Sequence, residues 1–436
     1  MTTIPIRTLT TEVATHVGET VHLAGWLHHQ RRLANVTFLL LRDRAGVAQV
    51  VVHDVAERAL LGALPSESVL RVCGTAVASE QAAAGAEIHQ PIIEVVSTAS
   101  SQMLPFELRR STIPAQLSTV LDHAAIALRH PTRQAAARIT AASVAGFRST
   151  LDALGFIEIY TPKVVASATE SGANVFGIDW FGRPAFLAQS PQLYKQTMVG
   201  ALERVYEVGP VFRAEPHDTT RHLAEYVSLD AELGFIDDHH DVMQVLREVL
   251  AGMVAMIEES AAPAVATLGI ALPTIPSDIP AVDFAEAQQM IESATGEPVV
   301  GEPDLAPAHE RWLGEWAHRA HGSDLLFVVG YPMSKRPFYT HPRPSDPAVS
   351  NSFDLLFRGV ELVTGGQRLH RYDDYVAALR GQDTAPLDGY LEAFRHGMPP
   401  HGGFAIGLER WVARIVGAQN VRDVTLFPRD LHRLTP

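Results

Sequence analysis

The chain opens with short runs in which apolar and polar positions alternate. Val21–Leu27, Thr37–Arg42, Val47–Val52, Val69–Val77 and Ile88–Val96 each read as a strand, and the polar turn Asp43-Arg44-Ala45-Gly46 joins the second to the third. A period of two marks a half-buried strand, because successive side chains point to opposite faces. About five such strands within residues 1–104 predict a small closed barrel. Residues 105–135, with Pro105, Arg109-Arg110, Pro114 and His130-Pro131, predict a hinge or linker. From 136 to 436 helical runs alternate with strands. His239–Ser260 carries a strong amphipathic pattern, and an insertion is expected over about 239–330, rich in Pro and Glu near its middle. Tyr226–Leu233 alternates so that Tyr226, Ser228, Asp230 and Glu232 share one face and Val227, Leu229, Ala231 and Leu233 the other. The second face is core. The first is polar and carries two carboxylates, which fits either a solvent-facing edge or a site.

Composition narrows the class. With 436 residues and 47% hydrophobic residues, the chain has length for more than one domain and a large core. Cys73 is the only cysteine, so no internal disulfide forms, which fits a reducing, cytoplasmic setting. The start, Met1-Thr2-Thr3-Ile4-Pro5, lacks a signal-peptide layout, and even Val245–Ile257 is broken by Arg247 and Glu248, so no membrane span is expected. A net charge of −14 argues against a general nucleic-acid coat without excluding a local basic face. Lys163, Lys195 and Lys335 are the only lysines among 35 basic residues. Where arginine is so favoured, a retained lysine marks a place that needs a compact ammonium, and Lys195 is the candidate.

Two short stretches carry phosphate chemistry. Phe212-Arg213-Ala214-Glu215, followed by Thr219-Thr220-Arg221-His222-Leu223, and Gly407-Leu408-Glu409-Arg410 each set a guanidinium beside a carboxylate. Arg suits phosphate because its planar fork binds two oxygens at once and stays charged. The first stretch resembles motif 2 of the class II aminoacyl-tRNA synthetases and the second resembles motif 3. The helical run from Phe147 through Phe156-Ile157-Glu158-Ile159-Tyr160-Thr161-Pro162 resembles motif 1. Gln189-Ser190-Pro191-Gln192-Leu193-Tyr194-Lys195-Gln196, with Arg221-His222-Leu223 and Gly365-Gly366-Gln367-Arg368, is similar to aspartyl-tRNA synthetases of the short archaeal type. The resemblance covers nearly the whole chain.

That resemblance implies an α+β fold: an N-terminal OB-fold β-barrel, then the class II antiparallel sheet flanked by helices. It implies formation of aspartyl-adenylate from ATP and L-aspartate, then transfer to tRNA. Arg213 would clamp the α-phosphate and the aspartate α-carboxylate. Arg410 would hold the γ-phosphate and cover the adenine, and Tyr226 would stack on its other side. Glu215, Arg221, His222, Leu223, Gly407, Leu408 and Glu409 complete the implied ATP set. Glu361, with the hydroxyl of Thr364, would hold Mg²⁺, which normally takes one or two carboxylates plus phosphate oxygens. Lys195 and Arg368 would meet the aspartate side chain and Asp230 its ammonium, with Gln192 alongside. Glu170, in the small-residue loop Ala168–Ala173, would belong to a lid.

The barrel is implied to bind the anticodon, with Phe38 and Gln49 against its bases. Strict enzymes of this type tend to place Trp and Lys at two barrel positions near the third anticodon base. Here those positions hold His28 and Ala83, which predicts charging of both tRNA-Asp and tRNA-Asn. The cell would then need an amidotransferase acting on Asp-tRNA-Asn as functional partner. Motif 1 implies a homodimer. The alternatives are a strictly discriminating aspartyl enzyme, an asparaginyl enzyme, a non-catalytic RNA-binding relative and a plain OB-fold single-strand binder. Lys195 and Asp230 speak against an amide substrate, and retained Arg213, Glu361 and Arg410 speak against lost chemistry. A single-strand binder leaves some 300 residues unexplained.

Overall fold

A computed structural model describes residues 7–82, 84–100, 103–166, 175–216 and 218–435. The chain divides into two compact units, 1–114 and 115–436.

In the first unit, β1 (Thr20–Arg32), β2 (Thr37–Arg42), β3 (Val47–Val52), β4 (Val69–Ala78) and β5 (Ala86–Ser97) close a barrel in the order β1-β2-β3-β5-β4. The alternation works as read: Leu23, Leu27, Leu39, Leu41, Val50, Val72 and Ile88 fill the interior, and their neighbours in sequence, the buried Arg42 and Val51 excepted, are half-buried or exposed. Gly25 is required where β1 crosses β2, because a Cβ there would lie 2.2 Å from the Arg42 carbonyl oxygen. A bulge between Leu27 and His29 then re-aims the outer face around His28.

The second unit is built on an eight-stranded sheet. Its strands are β6 (Ile157–Glu158), β7 (Arg204–Phe212), β8 (Glu225–Gly234), β9 (Ala281–Asp283), β10 (Leu325–Val329), β11 (Ser352–Phe357), β12 (Val360–Arg368) and β13 (His401–Gly407). Their order is β9-β10-β11-β12-β13-β8-β7-β6. The six central strands pair antiparallel, but both edge pairs, β9 with β10 and β6 with β7, are parallel. The expected antiparallel sheet is thus mixed at its edges. Two edge strands arrive after long crossovers, and no alternation pattern announces the direction of a strand of two or three residues.

Two placements differ from the expected organisation. Residues 115–135 are not a free linker. Helices Leu117–Asp122 and Ala124–Ala127 fold with the second unit, and Pro131 opens α1 (Pro131–Ala153), with His130 as its N-cap. Proline at the first helical position starts a helix, because its missing N–H would have been unpaired there anyway. The stretch 239–330 is also not peripheral throughout. It supplies β9, β10 and α2 (His239–Ser260), whose apolar face lies in the main core with Leu229, Phe353, Phe404 and Trp411. No single helix among the described residues is long and apolar enough to cross a membrane.

Helices α1 and α2 cross at two glycines. A Cβ on Gly146 would lie 2.7 Å from the Gly252 carbonyl oxygen and 2.7 Å from the Met253 Cα. Those are backbone atoms and cannot turn aside. Gly146→Ala should therefore separate the helices and destabilise the unit by about 1–3 kcal/mol, less the roughly 1 kcal/mol that Ala gains over Gly in helix propensity. Thermal unfolding of the variant checks this; a raised Tm would refute the close crossing.

Candidate active site

One cavity of about 460 Å³ opens on the central sheet of the second unit. Five stretches of chain bring the candidate residues to it. Helix α3 (Gln192–Leu202) brings Gln192 and Lys195, and the loop leaving β7 brings Arg213, Glu215, Arg221, His222 and Leu223. Strand β8 brings Tyr226, Ser228 and Asp230, and β12 brings Glu361, Thr364 and Arg368. The β13 end and the start of α4 (Leu408–Val416) add Gly407, Glu409 and Arg410. Leu408 does not join them, because its side chain is packed in the core; it offers the cavity backbone at most. Glu170 and Ala83 lie outside the described residues.

The floor is a buried charge cluster. Helix α3 turns Gln192, Lys195, Gln196 and Val199 inward, so a polar stripe at helical spacing faces the sheet. Lys195, 1% exposed, places Nζ 3.0 Å from Asp230 Oδ1 and 3.3 Å from Glu232 Oε2. Arg368 Nε donates to Glu232 Oε1 at 3.0 Å, and its Nη2 to the Gly403 carbonyl at 3.1 Å. Burial would raise the Glu232 carboxyl, but Arg368 and Lys195 outweigh it and hold the group below the usual carboxylate range. Gly403 makes room, since a Cβ there would sit 2.1 Å from Glu232 Oε2. Ser228 Oγ donates to the other Asp230 oxygen.

Behind this floor lies a closed polar network. Gln196 Nε2 is 3.0 Å from His401 Nε2 and 3.2 Å from the Tyr375 hydroxyl, while Gln196 Oε1 accepts from Gln192 and from Tyr390. His401 Nδ1 lies 2.9 Å from the Pro399 carbonyl, so the proton sits on Nδ1 and Nε2 accepts. Burial drives the His401 pKa down to about 4, although Glu232 pulls it up.

The rim carries the phosphate candidates. Arg213 lies 5.8 Å over the Tyr226 ring and within 4.0 Å of Glu215. Arg410 Nη1 donates to the Glu361 carbonyl at 2.7 Å and approaches its carboxylate at 3.5 Å. Thr219 Oγ1 is 2.6 Å from His222 Nδ1. The carboxylate of Glu409 accepts from the Val227 N–H at 3.1 Å, and burial pushes its pKa up to about 7. It therefore ties motif 3 to β8.

Three residues without an assigned role from sequence belong to this architecture. Glu232 was legible as a polar-face residue but not as the partner of both Lys195 and Arg368. Asp354 of β11 lies across from Thr364 in the sheet register, 3.1 Å from Arg336. Burial lifts its pKa to about 6, Arg336 opposes that, and Glu361 adds to it. Glu310, on α5 (Pro307–His321), holds Arg221 at 3.0 Å and accepts the Glu361 backbone N–H at 3.0 Å. It comes from a region whose sequence offered no motif.

In the barrel, Arg31 sits 5.0 Å over the Phe38 ring, and Gln49 Nε2 donates to Glu87 at 2.8 Å. His28 Nδ1 faces Arg42 Nη1 at 3.0 Å, and Arg42 forms a buried two-pronged pair with Glu67 at 2.7 and 2.9 Å. A guanidinium only donates, so His28 Nδ1 accepts and the proton of the neutral ring is on Nε2.

Comparison with known proteins agrees with this architecture. The class II tRNA synthetase family (D, K and N) matches residues 116–431, and the OB-fold nucleic acid binding domain matches residues 21–96. The aspartate–tRNA(Asp/Asn) ligase of Thermus thermophilus is 47% identical over 99% of this chain and 100% of its own. The enzyme of the same name from Deinococcus radiodurans is 43% identical over 99% of both. Among solved structures, the asparaginyl-tRNA synthetase of Pyrococcus horikoshii with asparaginyl-adenylate superposes with a TM-score of 0.92 at 31% identity, covering 99% of this chain and 100% of that one. The aspartyl-tRNA synthetase of Entamoeba histolytica gives 0.88 at 30%, over 100% of this chain and 94% of that one. The chain belongs to the class II aminoacyl-tRNA synthetases and, within them, to the family of the aspartate–tRNA(Asp/Asn) ligases.

The His401 network predicts a pH dependence. Its folded pKa of about 4 lies below the ordinary histidine value of 6.5. On lowering pH the unfolded chain takes up the proton first, so the stability contributed by neutral His401 is complete above 6.5 and is lost towards 4. His401→Asn should show a smaller drop in Tm between pH 7 and pH 5 than the parent chain. An equal drop would mean that His401 does not titrate as placed.

Proposed function

We propose that this chain activates L-aspartate with ATP and transfers the aspartyl group to both tRNA-Asp and tRNA-Asn. The observation that carries the amino-acid choice is the pair of buried cations, Lys195 and Arg368, at the floor of the cavity. The fold does not separate aspartate from asparagine, since a synthetase for the amide superposes on it nearly as a whole. The side chains do. A second carboxylate entering beside Lys195 and Arg368 shares two cations with Glu232 and Asp230. An amide carries no charge to share with those cations, and its N–H₂ would face groups that only donate, so a site built for a charged group rejects its neutral analogue strongly. Asp230, already facing Lys195, would also receive the substrate ammonium.

ATP would lie along the rim between Tyr226 and Arg410. Arg213 would bind the α-phosphate as the aspartate carboxylate attacks it and pyrophosphate leaves. This needs positioning and fixed positive charge more than a proton carrier. Arg221 and His222 would meet the outer phosphates, and Arg221 would exchange its pairing with Glu310 for them. Mg²⁺ fits the donor set of Glu361 and Thr364, with Asp354 beneath; two carboxylates held close together and repelling one another suit a hard dication. When bound, the ion would neutralise phosphate charge. The names of the relatives, which give both Asp and Asn, and His28 in the barrel support charging of both tRNAs. With that reading come a cytoplasmic location, a homodimer through the motif 1 helix and an amidotransferase that converts Asp-tRNA-Asn.

Two measurements test the proposal. Aspartate-dependent ATP–pyrophosphate exchange should proceed with aspartate and not with asparagine, and Arg213→Ala or Arg410→Ala should lower its rate about 10²–10³-fold with the fold intact. Near-normal exchange in both variants, or preference for asparagine, would remove the site assignment. Second, purified tRNA-Asp and tRNA-Asn transcripts should both accept labelled aspartate. Charging of tRNA-Asp with tRNA-Asn at background would leave a strictly discriminating enzyme.

A further inference from the structure

A second cluster lies at the start of α2, away from the cavity described above. Asp237, Asp238, His239 and His240 form one wall of a separate cavity of about 490 Å³, with His341, Arg343 and Gln367 among the others. His239 is 4% exposed, yet neither ring nitrogen has a hydrogen-bond partner among the described residues. Buried polar atoms are seldom left this way, and an ion in the neighbouring space is one physical reason for it. The ligating atoms of Asp238, His239 and His240 all lie within 4.8 Å of one another. With metal–ligand bonds of about 2.0–2.2 Å, a small closure would set all three around one ion. The two imidazoles are already close, with ring centroids 4.2 Å apart.

The local charge permits a cation. A helix N-terminus by itself disfavours one. Here Asp237, Asp238 and Asp241 surround that end, and the Asp241 carboxylate accepts the Asp237 N–H at 2.7 Å. Arg343, the cation in the same cavity, is paired with Asp283 at 3.1 Å. We propose that Asp238, His239 and His240 bind one transition-metal dication of the Zn²⁺ class at a site separate from the ATP cavity. Imidazole with carboxylate suits Zn²⁺, Co²⁺ or Ni²⁺, whereas Mg²⁺ prefers an all-oxygen shell. Three protein ligands leave a position for water. The ion would brace the β8–α2 corner against β12: Gln367 Nε2 reaches the Asp237 carbonyl at 3.5 Å, and Gln367 directly precedes Arg368.

The test uses the metal-free full-length protein titrated with Zn²⁺ alone by calorimetry, and with Co²⁺ alone by visible absorption, both repeated in excess Mg²⁺. The expected result is one Zn²⁺ per chain, not displaced by Mg²⁺, with a raised Tm. Asp238→Asn keeps the helix cap, since Asn caps as well as Asp, but removes the charge. His240→Ala alters an exposed ring. Each should weaken Zn²⁺ binding by about tenfold or more, while exchange activity in Mg²⁺ stays at the parent level. Absence of stoichiometric Zn²⁺ binding to the parent chain would overturn the proposal. So would undiminished binding to the Asp238→Asn/His240→Ala double variant, which would place the ion elsewhere.

Discussion

The second unit depends on a buried set of opposite charges. Lys195 and Arg368 come from a helix and a strand far apart in sequence, and Glu232 holds both from the strand between them. Each charge alone would be very costly to bury, and removing one partner of a buried pair typically costs about 3–5 kcal/mol. The set is tolerable because it is balanced: Asp230 answers the remaining charge on Lys195, and the Gly403 carbonyl takes a further Arg368 donor. The gain is a floor whose cations are fixed in place before any ligand arrives. Preorganised charge of that kind needs no reorganisation at the moment of reaction.

The same economy runs through the support around the floor. Gln196, Tyr375, Tyr390 and His401 satisfy one another behind it, and Gln196 also holds Gln192. A fully satisfied network of this sort rigidifies, whereas a half-satisfied one is worse than an apolar core. On the rim the pairings are looser and more exposed. Arg213 is 40% exposed at its side chain, and Arg221 is held by Glu310 rather than buried. Tight floor and adjustable rim match a small charged substrate below and a large polyphosphate above. Glu310 ties the loop after β7 to β12, because the carboxylate that holds Arg221 also accepts the backbone N–H of Glu361.

How much could be read without coordinates follows from the range of each interaction. Alternation at period two placed the barrel strands and the polar face of β8, because strand faces are set by nearest neighbours in the chain. Local motifs named Arg213, Arg221, Glu361, Arg368 and Arg410, and the fold brings them to one cavity. Leu408 was grouped with them by proximity in the motif, but helix geometry turns its side chain into the core. The hinge expected over 105–135 is folded from 115 on, since proline at a helix start looks like a break when only composition is seen.

The sequence by itself determined the class of the protein, the two-part organisation and the identity of most charged groups in the site. Those depend on residue type and short spacing. Tertiary structure alone decided the partners. A helical stripe of Gln192, Lys195 and Gln196 would ordinarily face water, and only the packing of α3 on the sheet turns it inward. Glu232 and Glu310 gain their roles from residues far away in the chain, and Asp354 from Arg336 and from the neighbouring strand across the sheet. Pairing across such separations is set by strand order and register, which no local pattern encodes.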